Sequence, residues 1–307
     1  MDQVEKIAVK RIYVSPHSDD VALSCGGSIL ADPARQDGVI VLNMFTSERL
    51  TANRNNNQTE ASFVDSISPV RKAEDRAAGQ FGGVQADYAD LPEALLRGAF
   101  PFALLSRHDN RQITDDIVQV IQNYADRYPA ATFFFPAGIG NHVDHLACRN
   151  AAFRCLSKGI LDRIMLYEDA PYSWLGFIRK QSYRDLLAKV VFAPRDLAQL
   201  FQYSGESIVS YLGRRNVPFP RGRALFLAVH AALMMRNAAR TLSSRSKPFQ
   251  GKVRITTLDQ QVAAHKISLL YRYESQIPML FGSDPMATLH RHTALLGREV
   301  VIEISRG

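Results

Sequence analysis

The sequence predicts an α/β protein with a mainly parallel sheet flanked by helices. Short apolar, β-branched runs alternate with segments of helical apolar spacing in the first half of the chain, which is typical of βαβ units. Polar segments rich in histidine and aspartate follow two of these runs, at the strand ends where such sheets bind ligands. The chain has 307 residues, 46% of them apolar and 22% charged, which is enough for one large domain or two modest ones.

The predicted core begins with a buried strand. Residues 7–14 form a short β-branched run, and the Ser-Pro pair that follows indicates a turn. Residues 19–31 then predict a helix, and the apolar run at residues 39–45 predicts a second strand. The polar, Asn-rich residues 51–59 indicate a surface loop.

The alternation continues as far as the middle of the chain. Residues 69–81 predict a helix, and residues 114–128 predict another because their apolar side chains recur at helical spacing. The aromatic run at residues 132–135 predicts a central strand, and residues 164–167 predict one more. Beyond this point the pattern becomes mostly helical.

We therefore expect three parts. Residues 1–175 form a Rossmann-like core, residues 176–256 a basic and mostly helical insertion or subdomain, and residues 257–307 a C-terminal segment that returns to the core. The formal net charge is +7, and ten Lys or Arg but no Asp or Glu lie between Ser207 and Leu258.

The basic segment, residues 207–258, has two interpretations. It could hold a buried helix with a solvated basic face, or it could contact an anionic or lipid-linked substrate or anionic headgroups. Its apolar run, residues 224–235, is too short to span a bilayer. Nucleic acid is not an expected partner, because no aromatic platform accompanies the charges.

The N terminus and the cysteines bear on the compartment. No signal-peptide pattern opens the sequence, and the three cysteines form no C-x-x-C pair. We expect a cytoplasmic protein, with peripheral attachment at the inner membrane face as an option for the basic segment.

Two short segments contain the side chains of a divalent metal site. His17 directly follows the first predicted strand, and Asp20 lies three residues further on, where it can turn to the same side. His145, in the segment after residues 132–135, completes a set of two imidazoles and one carboxylate. This set suits zinc or ferrous iron and leaves a coordination position for a water molecule, whose pKa the metal lowers.

The neighbouring side chains supply acid and base groups. Asp19 is the candidate general base, because it is adjacent to a presumed ligand without being one. His142 could stabilise an oxyanion or donate a proton to a leaving amine, with the Asp144 carboxylate orienting it. The assembly predicts a metal-assisted hydrolase that acts on a carbonyl.

Simpler explanations exist for each segment alone. Asp19 and Asp20 could be an N-cap pair favoured by the helix dipole. His142 and His145 could be two surface histidines at helical spacing. The shared metal site becomes the better explanation because both segments follow predicted strands of one sheet.

At these residues the chain resembles the PIG-L/LmbE-like de-N-acetylases. The family's motifs read Ala/Pro-His-Pro-Asp-Asp-Glu and His-Pro-Asp-His, and the corresponding stretches here are PHSDDVALSCGG and NHVDH. The similarity continues at residues 70–78, 167–172 and 271–276. The resemblance implies Zn²⁺, or else Fe²⁺ or another divalent metal, held by His17, Asp20 and His145.

The resemblance also implies roles for five other side chains. Asp19 would be the base, His142 the electrophilic or acid residue, and Asp144 the group that orients it. Arg71 and Glu48 match positions that face the sugar in relatives, although either could be a surface salt-bridge partner.

The chain departs from the family pattern in several places. Ser18 and Val143 replace prolines, and Val21 replaces a glutamate, so loop rigidity and hydrogen bonding around the metal could differ. Gly140 lies where some relatives have a tyrosine that helps the transition state. A phenol with that task would have to come from another part of the chain.

The function implied is the hydrolytic removal of an N-acetyl group from an amino sugar or glycoconjugate. Two alternatives remain: a metal-dependent hydratase of the same fold, and a non-catalytic sugar-binding protein. The set of histidines and aspartates argues against the non-catalytic alternative.

Overall fold

The computed structural model of the protein describes residues 9–33, 35, 38–47, 60–99, 101, 110–202, 248–281 and 284–307. Within them, eight strands form one sheet: β1 (Arg11–Ser15), β2 (Val39–Asn43), β3 (Gln85–Tyr88), β4 (Thr132–Pro136), β5 (Arg163–Tyr167), β6 (Val190–Phe192), β7 (Phe249–Thr257) and β8 (Arg298–Arg306). The helices are α1 (Asp20–Ala31), α2 (Glu60–Gly82), α3 (Asn110–Arg127), α4 (Val143–Lys158), α5 (Gly176–Leu187), α6 (Pro194–Gln202), α7 (Gln260–Leu270), α8 (Ile277–Phe281), α9 (Pro285–Arg291) and α10 (Thr293–Leu296).

The strand order is β3-β2-β1-β4-β5-β8-β7-β6. The first five strands are parallel, β8 is antiparallel to both of its neighbours, and β6 is parallel to β7. The predicted α/β class with a mainly parallel sheet is therefore confirmed. Strand β1 pairs with β2 on one side and with β4 on the other, so the order in which strands are added reverses between β1 and β4. Ligands bind at such a topological switch point, beside the carboxyl ends of the strands.

The core lies on both faces of the sheet. Along β1, Ile12 and Val14 belong to the larger hydrophobic cluster, which also contains apolar residues of α3 and α4. Tyr13 points to the other face, where it shares a cluster with residues of α1 such as Val21. Burial on both faces explains why the strand is almost continuously apolar.

The structure differs from the predicted elements in three respects. Strands β3, β6, β7 and β8 are not predicted. Strand β6 and all but the last residue of β7 fall in the segment 176–256, and both strands join the core sheet. Helix α2 begins at Glu60 and continues through Pro69, which was expected near its start. In strand β7, Val253 is buried between the exposed Lys252 and Arg254. The many basic residues in this segment make such a half-exposed strand hard to recognise from the sequence.

Other predictions fall on undescribed residues. The loop predicted at residues 51–59 and residues 207–247 of the basic segment lie outside the described part of the chain. The three-part division of the chain stays a prediction. Among the described helices, none combines the length and the apolar character needed to cross a membrane.

A buried ion pair joins the C-terminal segment to α1. Lys266 Nζ donates to Glu299 Oε1 at 2.7 Å, and both side chains are 1% exposed. The same carboxylate accepts the backbone amides of Gly27 and Ser28, each at 2.8 Å. Removing one member of such a pair leaves the other charge buried without compensation.

We expect Glu299→Gln to lower the free energy of unfolding by about 3 kcal/mol in urea denaturation. The matched control is Glu303→Gln on the same strand, whose partner Arg254 is 59% exposed, and this change should cost less than about 1 kcal/mol. Equal losses for the two variants would contradict a stabilising role for the buried pair.

Candidate metal centre and active site

The turn between β1 and α1 places three functional side chains at the carboxyl edge of the sheet. Asp20 Oδ2 accepts the backbone amide of His17 at 2.8 Å, which closes the turn. Asp19 occupies the N-cap position of α1, but its side chain makes no capping hydrogen bond. The Asp19 carboxylate is buried, with 7% exposure, so a capping role does not account for it.

The first turn of α4 carries the second group of side chains. His142 is the N-cap residue, and its Nδ1 accepts the backbone amide of Asp144 at 3.3 Å. His145, in the first turn of the helix, is 1% exposed. This end of α4 follows β4, which is the neighbour of β1, so the two segments meet.

The two segments bring nitrogen and oxygen donors to one point. Potential ligand atoms of His17, His142 and His145 all lie within 4.8 Å of one another. Asp20 Oδ2 is 3.2 Å from His17 Nδ1 and 3.2 Å from His145 Nε2. Two imidazoles and one carboxylate therefore surround a common space, with the His142 ring 4.9 Å from the His17 ring, centroid to centroid.

Each of the two predicted histidine ligands contacts a second carboxylate through its other nitrogen. His17 Nε2 is 3.1 Å from Asp144 Oδ2, and His145 Nδ1 is 2.7 Å from Asp169 Oδ1. Such carboxylate–histidine pairs fix the tautomer and the ring orientation of metal ligands. Asp144 Oδ2 lies 3.9 Å from His142 Nδ1, so its shorter contact is to His17.

Burial and charge shift the pKa values in opposite directions. Burial alone would lower the pKa of His17, but hydrogen bonds with Asp144 and Asp20 raise it to about 10. His145 behaves similarly: burial lowers its pKa, while the charge of Asp20 and the bond to Asp169 raise it to about 9. For Asp20, burial is outweighed by the two imidazoles, which hold the carboxyl pKa well below its usual range.

Two further groups of the site, His142 and Asp19, have pKa values that favour their uncharged forms more than usual. Burial, together with the neighbouring His17 and His145, lowers the pKa of His142 to about 3, so this imidazole is uncharged at pH 7. Since its Nδ1 accepts a backbone amide, its Nε2 carries the proton and can donate it. Burial and the adjacent Asp20 raise the pKa of Asp19 to about 6, near the range that suits a general base.

These residues fit a divalent metal. Four carboxylates of the site, those of Asp19, Asp20, Asp144 and Asp169, are buried, and the last three lie within about 3.2 Å of an imidazole nitrogen of His17 or His145. A cation balances such an excess of acidic groups, and the nitrogen and oxygen donors are those that zinc and ferrous iron accept. The raised imidazole pKa values reflect the same excess of negative charge.

The structure describes only one of the two residues that were predicted to face the sugar. Arg71 lies on α2 and is buried with 9% exposure, where the charges of Asp19, Glu93 and Glu74 oppose the lowering of its pKa by burial. An exposed salt bridge therefore does not describe it. Glu48 lies outside the described residues.

Asp75, one helical turn after Arg71, is a buried carboxyl beside the candidate base. Burial, with added repulsion from Asp19 and Glu74, raises its pKa to about 8, although Ser18 and Arg71 oppose the shift. An unfolded chain ionises this group near pH 3.9. Its contribution therefore favours the folded state at low pH and is lost as the pH rises through about 8.

We expect Asp75→Asn to stabilise the protein at high pH. At pH 8 the free energy of unfolding of the variant should exceed that of the wild type by on the order of 2 kcal/mol, and its unfolding temperature should be higher. At pH 4 the difference should vanish. Thermal unfolding of both proteins between pH 4 and pH 9 measures this. An Asp75→Asn effect that is the same at every pH would contradict the raised pKa.

Two functional contacts were missed by the sequence prediction. Asp169 lies two residues after the end of β5, and this position is the signal that could have identified it, because β4 and β5 are neighbours. Tyr172 packs against Gly140, where an added Cβ would lie 2.7 Å from the tyrosine Cγ, and its ring centroid is 6.1 Å from that of His145. A tyrosine from another segment thus lies beside the position where some relatives have one.

The fold and the site together define a class: α/β proteins with a histidine–aspartate cluster, suited to a metal ion, at the switch point of the sheet. Residues 12–156 match the family described as PIG-L, GlcNAc-PI de-N-acetylase. A 2'-N-acetylparomamine deacetylase of Streptomyces fradiae is 30% identical over 207 residues, which cover 66% of this chain and 72% of that protein. The chain belongs to the PIG-L family.

Solved structures share the fold. A deacetylase from the biosynthesis pathway of teicoplanin aligns with a TM-score of 0.60 and 18% identity, over 97% of this chain and 99% of that one. The zinc inhibited form of teicoplanin deacetylase aligns with a TM-score of 0.57 and 17% identity, over 97% and 99%. At these identities the solved structures show the shared fold, and the sequence relative from Streptomyces fradiae is a deacetylase.

Proposed function

We propose that this protein is a metal-dependent hydrolase that removes an N-acetyl group from an amino sugar or glycoconjugate. The observation that supports it best is the meeting of His17, Asp20 and His145 around one space, with Asp19 and His142 beside them. Membership of the PIG-L family and similarity to two 2'-N-acetylparomamine deacetylases support a deacetylation reaction. Zn²⁺ is the proposed metal, and Fe²⁺ is the alternative that the same donors accept.

The metal would be held by His17 Nδ1, His145 Nε2 and the Asp20 carboxylate, and when bound it lowers the pKa of water and polarises a carbonyl. Asp19 accepts a proton from the attacking water. Its raised pKa keeps the proton available for the amine that leaves. Asp144 and Asp169 hold the imidazoles in place through their outer nitrogens.

His142 acts on the other side of the reacting carbonyl. Its Nε2–H is a neutral donor in the site, and a donor fixed in advance stabilises the negative charge that develops on the carbonyl oxygen. Its Nδ1 is held by the amide of Asp144, so the ring need not reorient during the reaction. The protonated Asp19 then supplies the proton to the leaving amine.

The substrate class rests on the relatives and on the charge near the site. The 2'-N-acetylparomamine deacetylases indicate an N-acetylated amino sugar within a larger glycoside. Arg71 is the proposed sugar contact, since its charge lies close to Asp19. Glu48 and an anionic or lipid-linked substrate for the basic segment stay predictions.

Acetate release from 2'-N-acetylparomamine and from N-acetylglucosamine, with and without a chelator, tests the proposal. We expect release that a chelator abolishes and that added Zn²⁺ or Fe²⁺ restores. Release that is insensitive to the chelator would contradict the metal site. Binding of these sugars without release would favour the non-catalytic alternative, and hydration of a carbon–carbon double bond in an unsaturated acid would favour the hydratase.

A further inference from the structure

Arg97 lies outside every motif of the sequence, yet it contacts the site. It lies in the turn after β3, and its side chain is 9% exposed. Nη2 donates to Asp144 Oδ1 at 2.8 Å, and Nη1 donates to the carbonyl of Pro92 at 2.5 Å. The guanidinium also lies over the ring of Phe45, 5.1 Å from its centroid. Three separate contacts therefore fix the position of this charge.

Asp144 connects Arg97 to His17. While Oδ1 of this fully buried carboxylate accepts from Arg97, Oδ2 is 3.1 Å from His17 Nε2 and also accepts the amide of Ala94 at 3.1 Å. Both oxygens are thus held, and the carboxylate cannot rotate without losing a charged partner. The opposite nitrogen of the imidazole, Nδ1, faces Asp20.

We infer that Arg97 is a positioning residue that holds His17 as a metal ligand through Asp144. The inference rests on the proposed function. A carboxylate that accepts Nε2–H fixes the tautomer in which Nδ1 carries the free electron pair, and Nδ1 is the atom directed towards Asp20. Arg97 holds Asp144 in the orientation that this hydrogen bond requires.

The turn that carries Arg97 supports the same role. The backbone amide of Arg97 donates to the carbonyls of Glu93 and Ala94, each at 3.2 Å, which closes the turn around the guanidinium. Ala94 packs against Val143, the residue before Asp144. The turn is therefore fitted to the first turn of α4, where the second motif begins.

A purely structural role predicts a different result from a positioning role. If Arg97 only stabilises the buried charge of Asp144, its removal lowers the unfolding temperature and leaves the metal affinity of the folded protein unchanged. If it positions His17, its removal weakens metal binding by the folded protein. The decisive measurement is therefore the affinity for Zn²⁺ alone, without substrate.

The experiment titrates Zn²⁺ into the full chain in competition with a chelator of known affinity. We expect Arg97→Met to raise the dissociation constant about 10–100-fold, the usual effect of losing an outer partner of a ligand. The matched control is Arg154→Met. Arg154 lies on α4, as Asp144 does, and forms a partly exposed pair with Asp115 of α3, so the dissociation constant of this variant should stay within about twofold of the wild type.

Two further variants separate the steps. Arg97→Lys keeps one charged donor and should recover part of the affinity lost in Arg97→Met. Arg97→Met made in an Asp144→Asn background should add less than about threefold, because both changes remove the same connection. Full additivity of the two changes would show that Arg97 does not act through Asp144 and would overturn the inference.

The remaining outcomes are equally decisive. An unchanged dissociation constant for Arg97→Met overturns the positioning role, even when the unfolding temperature falls. If Arg97→Met does not fold, Arg97→Lys and Asp144→Asn give the answer, and wild-type affinity in both overturns it. A wild-type chain that does not bind Zn²⁺ contradicts the proposed function itself, which keeps the two failures distinct.

Discussion

Asp19→Asn should lower kcat by about 10²–10⁴-fold, the range that a general base contributes. The carboxylate is buried beside Asp20, and its pKa of about 6 allows it to accept a proton near neutral pH and release it again. The amide of asparagine has the same shape and cannot accept that proton. Acetate release under saturating substrate measures the effect.

The metal should remain in the Asp19→Asn variant. Asp19 is not one of the three proposed ligands, so the affinity for Zn²⁺ should stay within a few-fold of the wild type. The control is Asp162→Asn, which changes an exposed aspartate and should retain full kcat. Near-normal turnover by Asp19→Asn, or loss of the metal together with turnover, would remove Asp19 as the base.

His145→Ala should abolish both metal binding and activity. The imidazole is 1% exposed, its Nε2 faces Asp20 and its Nδ1 is held by Asp169. Losing a ligand should weaken the binding of Zn²⁺ by more than the roughly 10–100-fold typical of an outer partner. Competition titration and acetate release measure the two losses.

The matched control for this change is His265→Ala, because His265 is exposed on α7. It should match the wild type in both measurements. A His145→Ala variant that binds the metal normally while losing activity would show that His145 acts as an acid or base and not as a ligand.

The sequence predicts the meeting of the two motifs, and the reason is topological. His17 and His142 follow strands that are recognisable as short apolar runs, and parallel strands end at the same edge of a sheet. The structure adds that β1 and β4 are direct neighbours, which no local pattern specifies. Within each motif the outer functional residues are three positions apart, so the sequence also indicates that their side chains lie close together.

Other contacts depend on long-range packing, which the local sequence patterns do not specify. Asp169 contacts His145 because β5 lies beside β4, and Arg97 contacts Asp144 because the turn after β3 reaches across to α4. Asp144 was expected to orient His142, while its shorter imidazole contact is to His17. Strand β8 joins the sheet antiparallel to β5, a pairing between residues far apart in the chain.

The most direct test of the metal centre is diffraction from Zn²⁺-loaded crystals at the zinc absorption edge. We predict one anomalous peak, from a zinc ion that lies about 2.0–2.1 Å from His17 Nδ1 and His145 Nε2 and about 2.0–2.2 Å from an oxygen of the Asp20 carboxylate. A zinc ion bound by His142 in place of Asp20, or a peak located away from His17 and His145, would contradict the proposed metal centre.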